Sequence, residues 1–187
     1  MMPCSLLTTG RRCLPDPGAI ATPRVRVRPL RASDGPGYAA FVRGLSPQTL
    51  YNRLLGGGVA VTAEALDRLL RVDQVRHVAL AATVRIDGEV RIIGVARYAL
   101  ESASDRGEFA VTVADEWQHM GIGGLLMRAL VHHARKANVV ELFGDAFATN
   151  AGMLTLMSRT GFTLGRTPGD AHLTRGTLRL APRRQPT

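Results

Sequence analysis

The amino-acid sequence predicts one α/β (α+β mixed) domain, and three observations predict it. A chain of 187 residues with 45% hydrophobic content is long enough to bury one sizeable core. Segments alternating with a period of two, such as Val25-Arg26-Val27-Arg28, are interleaved with segments of helical spacing, such as Leu125 to Lys136. Between Glu108 and Phe162 a strand pattern runs directly into a glycine-rich turn and then a helix. The domain is expected over residues 24–181, between a disordered basic tail at 1–23 and a short basic tail at 182–187.

The elements follow in order. Val25 to Leu30 reads as a strand with its arginines on the wet face. Ser33-Asp34 offers a cap for a helix carrying Tyr38, Phe41 and Val42, which breaks at Gly44. Ser46 is a second cap, with Pro47 at the first helical position, ahead of a short helix through Leu54-Leu55 that Gly56-Gly57-Gly58 ends. Thr62 caps a helix to Val72, with Ala63, Leu66, Leu69 and Leu70 inside and Glu64, Asp67 and Arg68 outside. His77–Ile86 and Val90–Leu100 are strands joined by Asp87-Gly88, the residues of a tight hairpin turn. The Glu108 strand, the glycine turn and a helix to Lys136 come next. A strand at Val139–Phe147, a helix at Ala151–Thr160 with Asn150 as its cap, and strands at Phe162–Leu164 and Ala171–Leu180 complete the domain.

The turn Gln118-His119-Met120-Gly121-Ile122-Gly123-Gly124 is the centre of the chemistry. The first turn of a helix presents unpaired backbone N–H groups and the positive end of the helix dipole, and glycines put no Cβ in the way of an anion. A pyrophosphate suits such a place. A dinucleotide fingerprint would need glycine where Leu126 stands, and a P-loop would need Gly-Lys-Ser/Thr, so neither nucleotide motif is present.

Gln118-x-x-Gly121-x-Gly123 instead resembles the acyl-CoA pyrophosphate loop of the GNAT superfamily of N-acyltransferases, and Asn150-x-x-Met153 followed by Gly161-Phe162 resembles that family's next helix and its closing pair. The resemblance implies a strongly bent mixed sheet with helices on both faces, and acetyl-CoA as co-substrate. It implies a cofactor contact for Gln118, His119, Met120, Gly121, Ile122, Gly123 and Gly124, strand-like pairing of the Val111 and Val113 backbones with the pantetheine arm, and contact by Asn150 and Met153. A narrower likeness, Leu45-Ser46-Pro47-x-x-x-Tyr51-x-Arg53 with Glu108-Phe109-Ala110-Val111, resembles the protein-lysine acetyltransferase branch whose members modify acyl-CoA synthetases. It implies a protein lysine, such as one on an acyl-CoA synthetase, as acceptor; a small amine is the alternative.

Acetyl transfer needs a neutral amine, and a lysine with a pKa near 10.4 is mostly protonated at neutral pH. Glu108 is the candidate general base, as the resemblance implies for a glutamate in this context, and partial desolvation would raise its pKa toward its task. Where many family members carry a tyrosine to protonate the departing thiolate, four residues before Gly161, this chain has Met157. A thiol of pKa near 8.5 leaves without an acid, so catalysis rests on Glu108, and a CoA-binding module without turnover stays an alternative. The histidines lack the His-Glu-x-x-His type of spacing and no metal is expected, while His119 is placed to bring its ring near phosphate. Trp117 reads as a packed anchor.

The net charge of +9 divides unevenly. Residues 32–165 hold 13 Lys+Arg and 13 Asp+Glu, so the excess lies in the ends, and a nucleic-acid partner is not expected of a formally neutral body. Cys4 and Cys13 form neither a disulfide framework nor a zinc spacing. The first residues have no continuous apolar run, and no stretch approaches membrane-spanning length, so a cytoplasmic protein with no membrane partner is expected.

Overall fold

The computed structural model describes residues 24–57 and 62–180. The expected tails at 1–23 and 182–187, Gly58 of the helix stop and the inward side chain of Ala63 lie outside the described residues. Seven strands form one sheet in the order β1-β2-β3-β4-β5-β7-β6. They are β1 (Arg26–Pro29), β2 (His77–Ile86), β3 (Glu89–Leu100), β4 (Arg106–Val113), β5 (Glu141–Phe147), β6 (Thr163–Thr167) and β7 (Asp170–Arg179). All neighbours are antiparallel except β4 and β5, which are parallel.

Helices cover both faces, as expected. On one side α1 (Gly35–Arg43), α2 (Pro47–Arg53) and α3 (Ala63–Leu70) pack with Ala79, Ala81 and Val95. On the other, α4 (Ile122–Lys136) and α5 (Ala151–Arg159) pack with Val78, Leu80, Tyr98 and Phe109. Trp117 touches both clusters and pins the end of β4 between them.

Three of the caps read from the sequence are made. The Ser46 hydroxyl accepts from the Thr49 N–H at 3.2 Å, Thr62 from Ala65 at 3.2 Å and Asn150 from Met153 at 3.1 Å. Asp34 is different: it precedes α1 without a side-chain cap bond. Its carboxylate instead accepts two bonds from the Arg28 guanidinium, at 2.6 and 2.7 Å, and one from the Arg31 N–H at 2.8 Å. A fork that fits both carboxylate oxygens outcompetes a single cap bond. Arg28 is therefore half-buried and paired, whereas it was expected to be solvated.

Some ends also shift. The helix expected through Leu55 stops at Arg53, because Leu55 and Gly56 turn to φ 48° and 78°. The helix expected to Val72 stops at Leu70, and the strand expected from Val139 starts at Glu141. The hairpin turn holds, with φ 50° at Asp87 and 83° at Gly88.

Candidate active site

The parallel pairing of β4 with β5 lasts only three residues, Arg106↔Glu141, Gly107↔Leu142 and Glu108↔Phe143. Beyond Glu108 the strands separate. Gly144 lies just past this vertex, where a Cβ would come within 2.8 Å of the Phe109 carbonyl oxygen, so only glycine lets the two strands approach before they part. A groove of about 790 Å³ opens from the vertex between β4, the start of α4 and the start of α5.

Ten of the residues expected at the site line this one groove: Glu108, Val111 and Val113 from β4; Gln118, His119, Gly121, Gly123 and Gly124 from the turn and helix; Asn150 and Met153 from α5. Two do not. Ile122 is buried in the core on the α4 side, and Met120 is exposed outside the groove. The alternation of the turn sends these side chains away from the face that the glycines and His119 present.

Ala114 donates to the Ile93 carbonyl at 2.9 Å, which sets the hydrogen-bonding phase of β4 against β3. In an antiparallel pair the bonding residues alternate, so the backbone groups of Val111 and Val113 point away from β3 and toward the groove. The Gln118 amide takes one of them, donating to the Val113 carbonyl at 3.1 Å and to the Thr49 hydroxyl at 3.2 Å. Gln118 thus holds the turn to β4 and α2. The Val113 N–H and both polar groups of Val111 remain on the open edge, where β5 no longer pairs with β4.

The helix start has the form expected of an anion site. His119 and Gly121 take left-handed backbone conformations, at φ 60° and 81°, to turn the chain into α4, and α4 begins with no side-chain cap bond. A Cβ at Gly121 would meet nothing within 4 Å, so that face is open. Gly123 is tighter: a Cβ there would lie 3.2 Å from Leu156 Cδ2, so this glycine also seats α5 against α4. The Arg128 guanidinium folds back over the first turn, 3.1 Å from where a Gly124 Cβ would stand. Arg128 and Arg159 line the groove and were not read from the sequence; Arg128, four positions after Gly124, was the findable one.

Glu108 is exposed at the vertex, so the desolvation expected of it is absent from this state of the protein. Pairing of Ala99 with Glu108, Arg97 with Ala110 and Val95 with Thr112 puts these six side chains on the α1–α3 face of the sheet. Met157, by contrast, is fully buried with its sulfur packed over Gly176, away from the groove. Among the described residues, no cluster of three or more His, Cys, Asp or Glu side chains is arranged to hold a metal ion. No described helix is long and apolar enough to cross a membrane.

A strand splay with a glycine-led helix start beside it is open to a long ligand with an anionic end, and sequence comparison gives the class of protein that carries it. The profile of the acetyltransferase (GNAT) family matches residues 53–162, and the chain belongs to that family. It is 35% identical over 147 residues to acetyltransferase PA5475 of Pseudomonas aeruginosa, covering 79% of each chain. Among solved structures it is similar to the GNAT domain of S. lividans PAT, at 25% identity and a TM-score of 0.75, covering 83% of this chain and 90% of that one. A putative acetyltransferase of Salmonella typhimurium, solved with its cofactor acetyl-CoA, has the same fold at 18% identity and a TM-score of 0.66, covering 88% and 98%. The chain is an N-acetyltransferase of the GNAT type.

Proposed function

We propose that this enzyme transfers an acetyl group from acetyl-CoA to the ε-amine of a protein lysine, with Glu108 as the general base. The observation that carries the reading is the place of Glu108: it is the last β4 residue paired with β5, so its carboxylate stands where the groove meets the α1–α3 face. Acetyl-CoA supplies an activated thioester, and the acetyl-CoA held by the Salmonella neighbour supports it as donor. The N–H groups of Gly123 and Gly124, with Arg128, fit a pyrophosphate, and the open edge at Val111 and Val113 fits the amides of the pantetheine arm. His119, Asn150 and Met153 would flank that path.

Glu108 would take the proton of the incoming ammonium directly or through one water. The lysine branch is supported by what its characteristic residues do here. Leu45 is buried, Ser46 caps α2, Tyr51 stacks on Phe147 at 5.0 Å, and Arg53 lines the groove. Arg53 and Arg97 surround the acceptor side with positive charge, which favours a neutral amine and opposes a small polycation.

The test is acetyl-CoA turnover followed by thiol release, for wild type and Glu108→Gln, against cellular protein and a panel of small amines. We expect release that depends on protein, acetyllysine by mass spectrometry, and a loss of about 10²–10⁴-fold in Glu108→Gln with acetyl-CoA binding kept. Turnover with small amines alone would overturn the lysine assignment, and an unchanged Glu108→Gln rate would remove the base.

A further inference from the structure

A second cavity lies behind β4, on the α1–α3 face. Its volume is about 390 Å³, within the range of small-molecule sites, roughly 300–1,000 Å³. The walls are mostly apolar, with Phe41, Leu45, Leu50, Leu66 and Val95 prominent, and its floor is the Ala110–Thr112 stretch of β4. Arg53, Ala110 and Thr112 line both this cavity and the groove, so the two spaces meet beside Glu108.

The charged groups in this apolar wall are all of one sign. Arg53, Arg68 and Arg97 line it, and no carboxylate does among the described residues. Arg97 donates one bond, to the Leu69 carbonyl at 2.7 Å, and Arg53 makes no hydrogen bond or ion pair with the described residues. Burial pulls both guanidinium groups below the ordinary arginine pKa, and at Arg97 the Arg53 charge adds to it. Two half-buried arginines side by side repel each other and lose hydration; the Glu108 charge reaches Arg53 from the neighbouring groove, but no carboxylate among the described residues lines the cavity between the two guanidinium groups. A buried cation of this kind is stabilised by an anion.

We propose that this cavity is a binding site for a small monocarboxylate with an apolar body, its carboxylate held between Arg53 and Arg97 and its body packed against α1 and α3. Arginine forks match both oxygens of a carboxylate, and the remaining wall offers apolar contact. The site adjoins the acceptor side proposed above and rests on Arg53 and Arg97 rather than on Glu108, so a ligand held there binds whether or not Glu108 removes a proton.

Calorimetric titration of the full chain with 4-phenylbutanoate, 4-phenylbutanamide and 4-phenylbutylamine tests it. The carboxylate is expected to bind, the amide about 10- to 100-fold more weakly and the amine not at all, since hydrogen bonds to a charged group carry that difference. Arg53→Met should weaken carboxylate binding by a similar factor, whereas Arg128→Ala in the groove and Glu108→Gln should keep it. The Arg53 side chain makes no hydrogen bond or ion pair with the described residues, so its replacement is expected to leave the protein folded, which the melting curve checks. Equal binding of carboxylate and amide, full affinity in Arg53→Met, loss of affinity in Arg128→Ala, or no binding of the carboxylate at millimolar concentration would each overturn the site.

Discussion

Thr49 donates its hydroxyl to Asp115 Oδ1 at 2.7 Å, joining residues 66 positions apart. Ser46 adds its own hydroxyl at 2.7 Å and its N–H at 2.9 Å to the same carboxylate. This one side chain therefore ties the start of α2, on the proposed acceptor side, to the turn that leads into α4. Burial works against ionising Asp115, but the bonds from Ser46 and Thr49 outweigh it and hold the carboxyl below its usual pKa. Asp115→Ala should cost about 1–2 kcal/mol, near the value of one or two net hydrogen bonds at an exposed site. It should also raise the KM for the acyl donor through the loosened turn. Thermal melting and steady-state kinetics check both, and a variant with wild-type stability and KM would show the tie to be idle.

Gly176 of β7 faces Met157, and a Cβ there would overlap the Met157 sulfur. Met157 is fully buried, so it cannot swing aside into solvent. Gly176→Ala should therefore destabilise by about 1–3 kcal/mol, a fall in Tm of roughly 2–12 °C. Met157→Ala should cost less in the Gly176→Ala background than in wild type, because the new methyl partly fills the space. Additive losses in the two-variant cycle would mean that the pair does not pack as described.

The glycine turn, the caps at Ser46, Thr62 and Asn150, and the hairpin at Asp87-Gly88 were legible because each is a local rule written in neighbouring residues. Gln118 and Glu108 both line the groove, but what surrounds them was not readable from neighbouring residues. Whether a strand residue is buried depends on where the sheet splits, and the β4–β5 vertex leaves Glu108 exposed. The Asp34 cap failed for a similar reason: the competing Arg28 comes from the strand before it, and only the fold brings the two into a fork. Arg97, in the middle of a strand, gave no local sign of facing a cavity; pairing with Ala110 across β4 puts it there.

The Tyr98 hydroxyl lies 3.2 Å from His133 Nδ1, between β3 and α4. Burial, with the charge of Asp73, pushes the phenol up to about 12, so it stays protonated and can donate to a neutral imidazole. Protonating His133 would put hydrogens on both ring nitrogens and remove that acceptor. Burial, followed by the charges of His132 and Lys136, lowers the His133 pKa. A histidine whose folded pKa lies below its unfolded value contributes stability that is full above about pH 6.5 and is lost as pH falls through the folded pKa. Melting temperature should therefore decline on going from pH 8 toward pH 5, before the carboxylates protonate, and His133→Gln should flatten this part of the curve. An equally steep decline in the variant would assign the loss to other groups.

Arg128 is exposed, makes no ion pair with the described residues, and folds over the first turn of α4 beside Gly124. A cation there adds to the helix dipole at the place proposed for the pyrophosphate. Arg128→Ala should raise the Kd for CoA about 10-fold, the value of a charge-assisted hydrogen bond near the surface, and reduce the dependence of binding on salt. Gly121→Ala perturbs the same place by another route: at φ 81° a side chain strains the backbone by roughly 1–2 kcal/mol, and the added Cβ points into open space. That variant should lose stability, while Arg128→Ala should melt as wild type. Titrating CoA at two salt concentrations, alongside melting curves, separates the two effects. Unchanged CoA affinity in Arg128→Ala would move the pyrophosphate away from the start of α4.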